Sequence, residues 1–102
     1  VLIPFPFTDM TAQKTRPALV LHASVRGENC IVALITSVTG RKRYPFDVSI
    51  SASSKNGLKI YSVVKLDHLA TLQKKSILGE LGALELLQMK ETNKKLAALF
   101  GL

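Results

Sequence analysis

The hydrophobic residues of this chain change their period once, and that change constrains the fold more than any other feature. Up to about His68 they come in short runs, either alternating or apolar on both faces; from Leu84 to Phe100 they recur at helical spacing. Alternation sends successive side chains to opposite faces of a sheet, whereas a repeat of about 3.6 gathers them on one stripe of a helix. The pattern therefore predicts several short strands followed by a single helix laid across them. The expected fold is mainly β with a C-terminal helix, built as a small antiparallel barrel or half-barrel.

Residues 1–5 read as the end of a first strand, with its beginning upstream of Val1, since the chain opens inside an apolar run. Phe5-Pro6-Phe7, before a polar loop over residues 8–15, suits a cover for a core edge first and flat faces for bases to stack on second. Residues 17–24 predict a strand with Ala18, Val20 and a half-buried His22 on one face. Residues 30–37 are apolar on both faces until Thr36 and Ser37, which predicts a central strand. Residues 46–51 alternate, with Phe46, Val48 and Ile50 inward and Asp47, Ser49 and Ser51 outward. Asn56-Gly57 predicts a tight turn, and residues 58–68 a strand with Ile60, Val64 and Leu66 inward. A further short strand is expected around Ile77 and Leu78. On the helix, Leu86, Met89, Leu96 and Phe100, with Leu99 beside them, form the stripe expected to meet the sheet.

With 102 residues, 47% hydrophobic and 21% charged, the chain reads as one globular domain over residues 1–102. Its net charge of +7 favours an anionic partner, nucleic acid first and a membrane surface second. No stretch reaches the roughly 18 apolar residues of a membrane span, and no signal-peptide pattern is present. The single cysteine, Cys30, excludes an internal disulfide and fits a reducing, cytoplasmic setting. One cysteine with His22 and His68 offers no recognisable metal-ligand spacing, so no metal and no cofactor is expected.

Four groups carry candidate chemistry. In Lys14-Thr15-Arg16-Pro17, the proline forces Arg16 into extended geometry at the mouth of a strand. A guanidinium aimed in this way can grip a phosphate with two parallel hydrogen bonds, though it equally suits a plain surface arginine. Thr36 and Ser37 close a buried strand and suit either a phosphate or the start of a turn. Arg41-Lys42-Arg43 is a basic run in a loop, either solvated surface or a contact to a polyanion backbone. Lys65 and Asp67 stand side by side on one strand face, as a surface ion pair worth under about 1 kcal/mol or as part of a site.

The segments FPFTD, KTRPALVL, ALITS, RYPFDVSI, NGL and SVVKLDHLATL, in this order and spacing, resemble the MazF/PemK toxins of bacterial toxin–antitoxin systems. The resemblance runs from Leu2 to Leu102. It implies an SH3-like small β-barrel that forms a homodimer, with the doubly apolar strand over residues 30–35 suited to the shared interface. It also implies a metal-independent, sequence-selective endoribonuclease that cleaves single-stranded RNA and is inhibited by a cognate antitoxin. The family's catalytic arginine and threonine match Arg16 and Thr36, and the basic residue and aspartate that PemK-type members add match Lys65 and Asp67. The loop before Arg16 departs from the family pattern: it is shortened to residues 9–14, with Gln13 as the counterpart of the usual polar group.

Metal-free cleavage of RNA needs charge stabilisation on the phosphorane, a proton acceptor and a proton donor. On this reading Arg16 and Thr36 stabilise the phosphorane and Asp67 accepts the proton. Lys65 holds the phosphate or lowers the Asp67 pKa, and the proton donor is unassigned. Lys14, Ser37, Arg41, Lys42, Arg43 and His68 complete the RNA contacts. Two other readings stay open: a CcdB-like inhibitor of DNA gyrase, suggested by the Phe100-Gly101-Leu102 terminus, and a non-catalytic RNA-binding barrel.

Overall fold

The computed structural model describes residues 1–8, 13–37, 44–77 and 79–102, without the side chains of residues 5–8 and 13–15. Five strands, β1 (Leu2–Thr8), β2 (Gln13–Ala23), β3 (Asn29–Ser37), β4 (Asp47–Ile50) and β5 (Ser62–Gln73), precede a 3-10 turn at Lys74–Ser76 and a helix, α1 (Leu86–Leu99). The strands form one antiparallel sheet in the order β1-β2-β3-β5-β4.

β3 occupies the centre, as its two apolar faces require. Ala33 and Ile35 join Leu2, Leu19, Val48, Ile50, Val64 and Leu66 in a core under the helix; Cys30 and Val32 join Ile3 and Ala18 in a second cluster on the opposite face. All of these residues are at most 3% exposed. Burying each large aliphatic side chain contributes about 1.5–3 kcal/mol, so the sheet is held from both sides. The apolar faces of residues 30–35 are thus covered within one chain, which corrects the expectation that this strand supplies a dimer interface; only Ile31 is exposed there.

The sheet is not a closed barrel. Among the described residues β1 and β4 are its edges and do not pair with each other. The β1 edge is instead capped by a loop: Leu2 N–H donates to Gly82 O at 2.8 Å, and Leu81 N–H to Leu2 O at 2.7 Å. Two irregularities bend the sheet. Leu21 is an extra residue on β2 between Val20 and His22. Leu66, Asp67 and His68 have no partners on β3, whose pairing jumps from Lys65 to Leu69.

Several local expectations change as a result. β5 begins at Ser62, leaving Ile60 exposed in the preceding loop, and it continues to Gln73. Ile77 follows the 3-10 turn and packs on the second cluster rather than forming a strand; Leu78 lies outside the described residues. His22 is exposed, because the bulge at Leu21 carries it past the covered part of the sheet. Helix α1 is rotated from the expected stripe. Met89 and Leu96 pack on the core and Thr92 is wholly buried between them, while Leu86 and Phe100 point to solvent.

Candidate functional site

A cleft of about 430 Å³ opens where the β2–β3 ladder stops and meets the loop between β4 and β5. Arg16 and Pro17 line it from β2, Thr36 and Ser37 from β3, and Gly57, Leu58, Lys59 and Ile60 from the loop. The register explains why Arg16 and Thr36 meet. Ala18 pairs with Leu34, and continuing the antiparallel ladder two residues outward sets Arg16 opposite Thr36. Pro17 has no N–H to extend that ladder, so the β2–β3 pairing stops at Ala18 while β2 continues along β1 to Gln13, and a cleft opens between β2 and β3. The Arg16 and Thr36 side chains are half-buried and that of Ser37 is exposed. Lys59 adds a second described cation, which sequence reasoning missed; its signal was a basic residue directly after the Asn-Gly-Leu segment.

The loop wall is held by Asn56, which is fully buried. Its Oδ1 accepts from Ser53 N–H (3.1 Å) and Leu58 N–H (2.9 Å), and its Nδ2 donates to Ser51 O (2.8 Å) and Glu85 Oε1 (3.0 Å). Ser53 Oγ donates to Glu85 Oε2 at 2.5 Å. Asn56-Gly57 is therefore the internal brace of an irregular loop over residues 51–61 and not a hairpin turn. The Ser53 hydrogen bond, helped by Asn56 and by nearby Lys55, holds the Glu85 carboxyl below its ordinary value of 4.5 against an opposing push from burial.

Because the folded chain prefers ionised Glu85, this group stabilises the fold above pH 4.5. That contribution fades as pH falls through the lowered value. Glu85→Gln is expected to lower Tm by a few degrees at pH 7 and to converge on the wild type in strong acid. Thermal melts at several pH values check this.

Lys65 and Asp67 do not pair with each other. Asp47, expected to face solvent, is 8% exposed and takes Lys65: the Nζ lies 2.9 Å from Oδ1 and 3.2 Å from Oδ2. Asp47 and Lys65 are cross-strand partners on β4 and β5, which puts their side chains on one face. The Lys65 ammonium also sits 4.5 Å from the Tyr44 ring centroid. Asp67 bonds His68 instead, with Oδ1 2.9 Å from Nδ1, and both are exposed. Strand alternation keeps Thr36, Val63 and Lys65 on one side of the sheet, with Val63 opposite Thr36 and Lys65 diagonal to it, while Asp67 lies in the irregular stretch beyond. The cleft is lined by Arg16, Thr36 and Ser37 but not by Lys65, Asp67 or His68. Lys14 pairs through its backbone with Phe7, and its side chain lies outside the description; Arg41, Lys42 and Arg43 lie outside the described residues altogether.

No helix among the described residues is long and apolar enough to cross a membrane. Comparison with curated protein sequences gives no match, but solved structures do. Mycobacterium tuberculosis toxin MazF-mt6 is 28% identical with a TM-score of 0.77, the match covering 100% of this chain and 98% of that one. MazE–MazF from Deinococcus radiodurans is 28% identical with a TM-score of 0.75, covering 99% and 92%. A mycobacterial endoribonuclease in complex with its cognate antitoxin, at 20% identity and a TM-score of 0.76 over 99% and 91% of the chains, shares the fold. A family model of PemK-like, MazF-like toxins matches residues 1–100. Nearly the whole chain lies within that match, and it belongs to the PemK-like, MazF-like toxins of type II toxin–antitoxin systems.

Proposed function

We propose that this toxin is an endoribonuclease that cleaves single-stranded RNA in the cleft between β2 and β3, acts in the bacterial cytoplasm as a homodimer, and is silenced by a cognate antitoxin protein. The observation that carries the reading is the meeting of Arg16 and Thr36 in one cleft beside Lys59. A planar guanidinium and a hydroxyl there suit the non-bridging oxygens of a phosphate, and they stabilise the extra negative charge of a phosphorane. In the reaction the RNA 2′-oxygen forms a bond to the adjacent phosphorus as its proton passes to a base. The bond from phosphorus to the 5′-oxygen then breaks and that oxygen takes up a proton. The products are a 2′,3′-cyclic phosphate and a 5′-hydroxyl end.

Arg16 and Thr36 bind and polarise the phosphate, with Ser37 beside them. Asp67, in the irregular stretch of β5, is the proton acceptor in this reading, with His68 as its hydrogen-bonded neighbour. The Lys65 ammonium is paired with Asp47. Lys14, Arg41, Lys42 and Arg43 add positive charge for the RNA backbone. The +7 net charge supports a polyanionic substrate. The gyrase-inhibitor reading gives the Arg16–Thr36 cleft no task and is not favoured.

Incubating the toxin with a long RNA and sequencing the fragment ends tests the proposal. Discrete cuts with cyclic-phosphate and 5′-hydroxyl ends are expected; intact RNA overturns it. In the same assay Asp67→Asn is expected to slow cleavage about 10²-fold or more, the usual contribution of a positioned base, with RNA binding unchanged.

A further inference from the structure

Tyr44 combines two properties that oppose each other in an ordinary surface side chain: it is 49% exposed, and it is held from several directions. Its backbone N–H donates to Asp47 Oδ2 at 3.2 Å, and its carbonyl accepts from Asp47 N–H at 3.1 Å. One face of its ring rests on the Lys65 ammonium, 4.5 Å from the centroid. Asp47 is nearly buried, and a buried carboxylate keeps its cation because releasing it would strand the charge. The backbone of Asp47 is fixed in turn from the helix, since Lys95 Nζ donates to Asp47 O at 2.6 Å. Asp47 and Lys65 thus spend their charges on each other and on orienting the ring.

The ring stands at the β4 edge of the sheet, on the far side of β5 from Thr36 and outside the lining of the cleft. Lys65 is the diagonal cross-strand neighbour of Thr36 on the same sheet face, a separation of about 7–8 Å. Resting on the endoribonuclease reading above, we propose that Tyr44 is a stacking platform for a base of the RNA strand whose phosphate lies at Arg16 and Thr36, with Asp47 and Lys65 as the residues that position it. An exposed aromatic ring already fixed in place binds a nucleobase with little further loss of freedom. Stacking accepts any base, so the platform supplies grip farther along the strand while the cleft handles the phosphate.

The test uses the full chain and uncleavable 2′-O-methyl oligomers of each of the four bases, beside an abasic phosphodiester strand of the same length. Wild type is expected to bind the base-bearing oligomers more tightly than the abasic strand. Tyr44→Leu should weaken the base-bearing complexes about tenfold and leave the abasic one unchanged. Tyr44→Phe, which keeps the ring, should bind like wild type. A purely structural Tyr44 would move the melting temperature, or both affinities equally, and either result with no base-dependent loss overturns the platform. If wild type cuts RNA and binds the oligomers but Tyr44→Leu is indifferent to bases, this inference alone fails. If wild type neither cuts RNA nor binds any oligomer, the endoribonuclease reading fails and the platform with it.

Discussion

Arg16→Ala is expected to lower RNA cleavage about 10³-fold while leaving the fold intact, the scale on which removing a preorganised donor to a developing oxyanion acts. Three features of the local structure set this expectation. Pro17 holds Arg16 extended at the point where the β2–β3 ladder opens, so the guanidinium is delivered to the cleft by the backbone. Thr36 stands across from it, so the two can grip different oxygens of one phosphate. Arg16 is also only half-buried, just beyond the last β2–β3 pair, while the adjoining core residues Ala18 and Leu19 are fully covered. The side chain can therefore be truncated without opening a cavity, and the melting temperature should stay close to that of the wild type. Arg16→Lys is the sharper control: it keeps the charge but loses the planar pair of parallel donors, and should recover only a small part of the rate. Cleavage by Arg16→Ala at the wild-type rate would remove the phosphate-binding role on which the mechanism rests.

The parts of this molecule that were legible in the sequence are those governed by a residue's own neighbours. The apolar run of β3 announces a strand covered on both faces, and Cys30, Val32, Ala33 and Ile35 are indeed at most 1% exposed. The change to helical spacing announces α1. What stayed hidden depends on partners far along the chain. Lys65 and Asp67 are neighbours by strand alternation, so a local reading pairs them, yet the carboxylate that reaches the ammonium belongs to Asp47, eighteen residues away. Alternation alone turned Asp47 outward, correctly for its side of β4, but that side is covered by Lys65 and Tyr44 and not by solvent.

Bulges are equally silent in a sequence. An extra residue at Leu21 and the unpaired residues 66–68 leave no signature in composition, although they determine that His22 is exposed and that Asp67 turns to His68. The helix stripe differs from the expected one because Thr92, polar by type, occupies the buried centre, its Oγ1 lacking a hydrogen-bond partner among the described residues. Barrel closure depends on how the whole sheet curves, which no local run of residues records, and the β1 and β4 edges stay apart. In the cleft, Arg16 and Thr36 were both marked by local features, a proline and a polar strand end. The buried Asn56 brace was marked only as a turn.

That brace is the subject of the second large effect. Gly57→Ala is expected to destabilise the chain by about 4 kcal/mol, from left-handed strain together with a backbone clash. In a domain of this size that is a fall in Tm of about 15 °C or more. Gly57 has a φ of +73°, a conformation in which a side chain is strained, and an added Cβ would lie 2.1 Å from Leu81 O. That oxygen sits on backbone and cannot swing aside as a side-chain tip would. The neighbouring backbone is pinned too: Leu81 N–H donates to Leu2 O, and Ala83 N–H donates to Lys55 O at 2.9 Å. Relief must therefore come from moving the loop over residues 51–61 away from the segment that caps β1, which strains the Asn56 hydrogen bonds at the same time. Gly57 also lines the cleft, as do Leu58 and Lys59 beside it, so the displacement should reach the RNA site. Cleavage at a temperature where the variant is still folded should fall, while Glu85→Gln, which loosens the same loop without a clash, should reduce it less. Thermal melts with cleavage rates measured below both transitions separate the two effects. A Gly57→Ala variant as stable as the wild type would mean that the close approach to Leu81 is not a feature of the folded toxin.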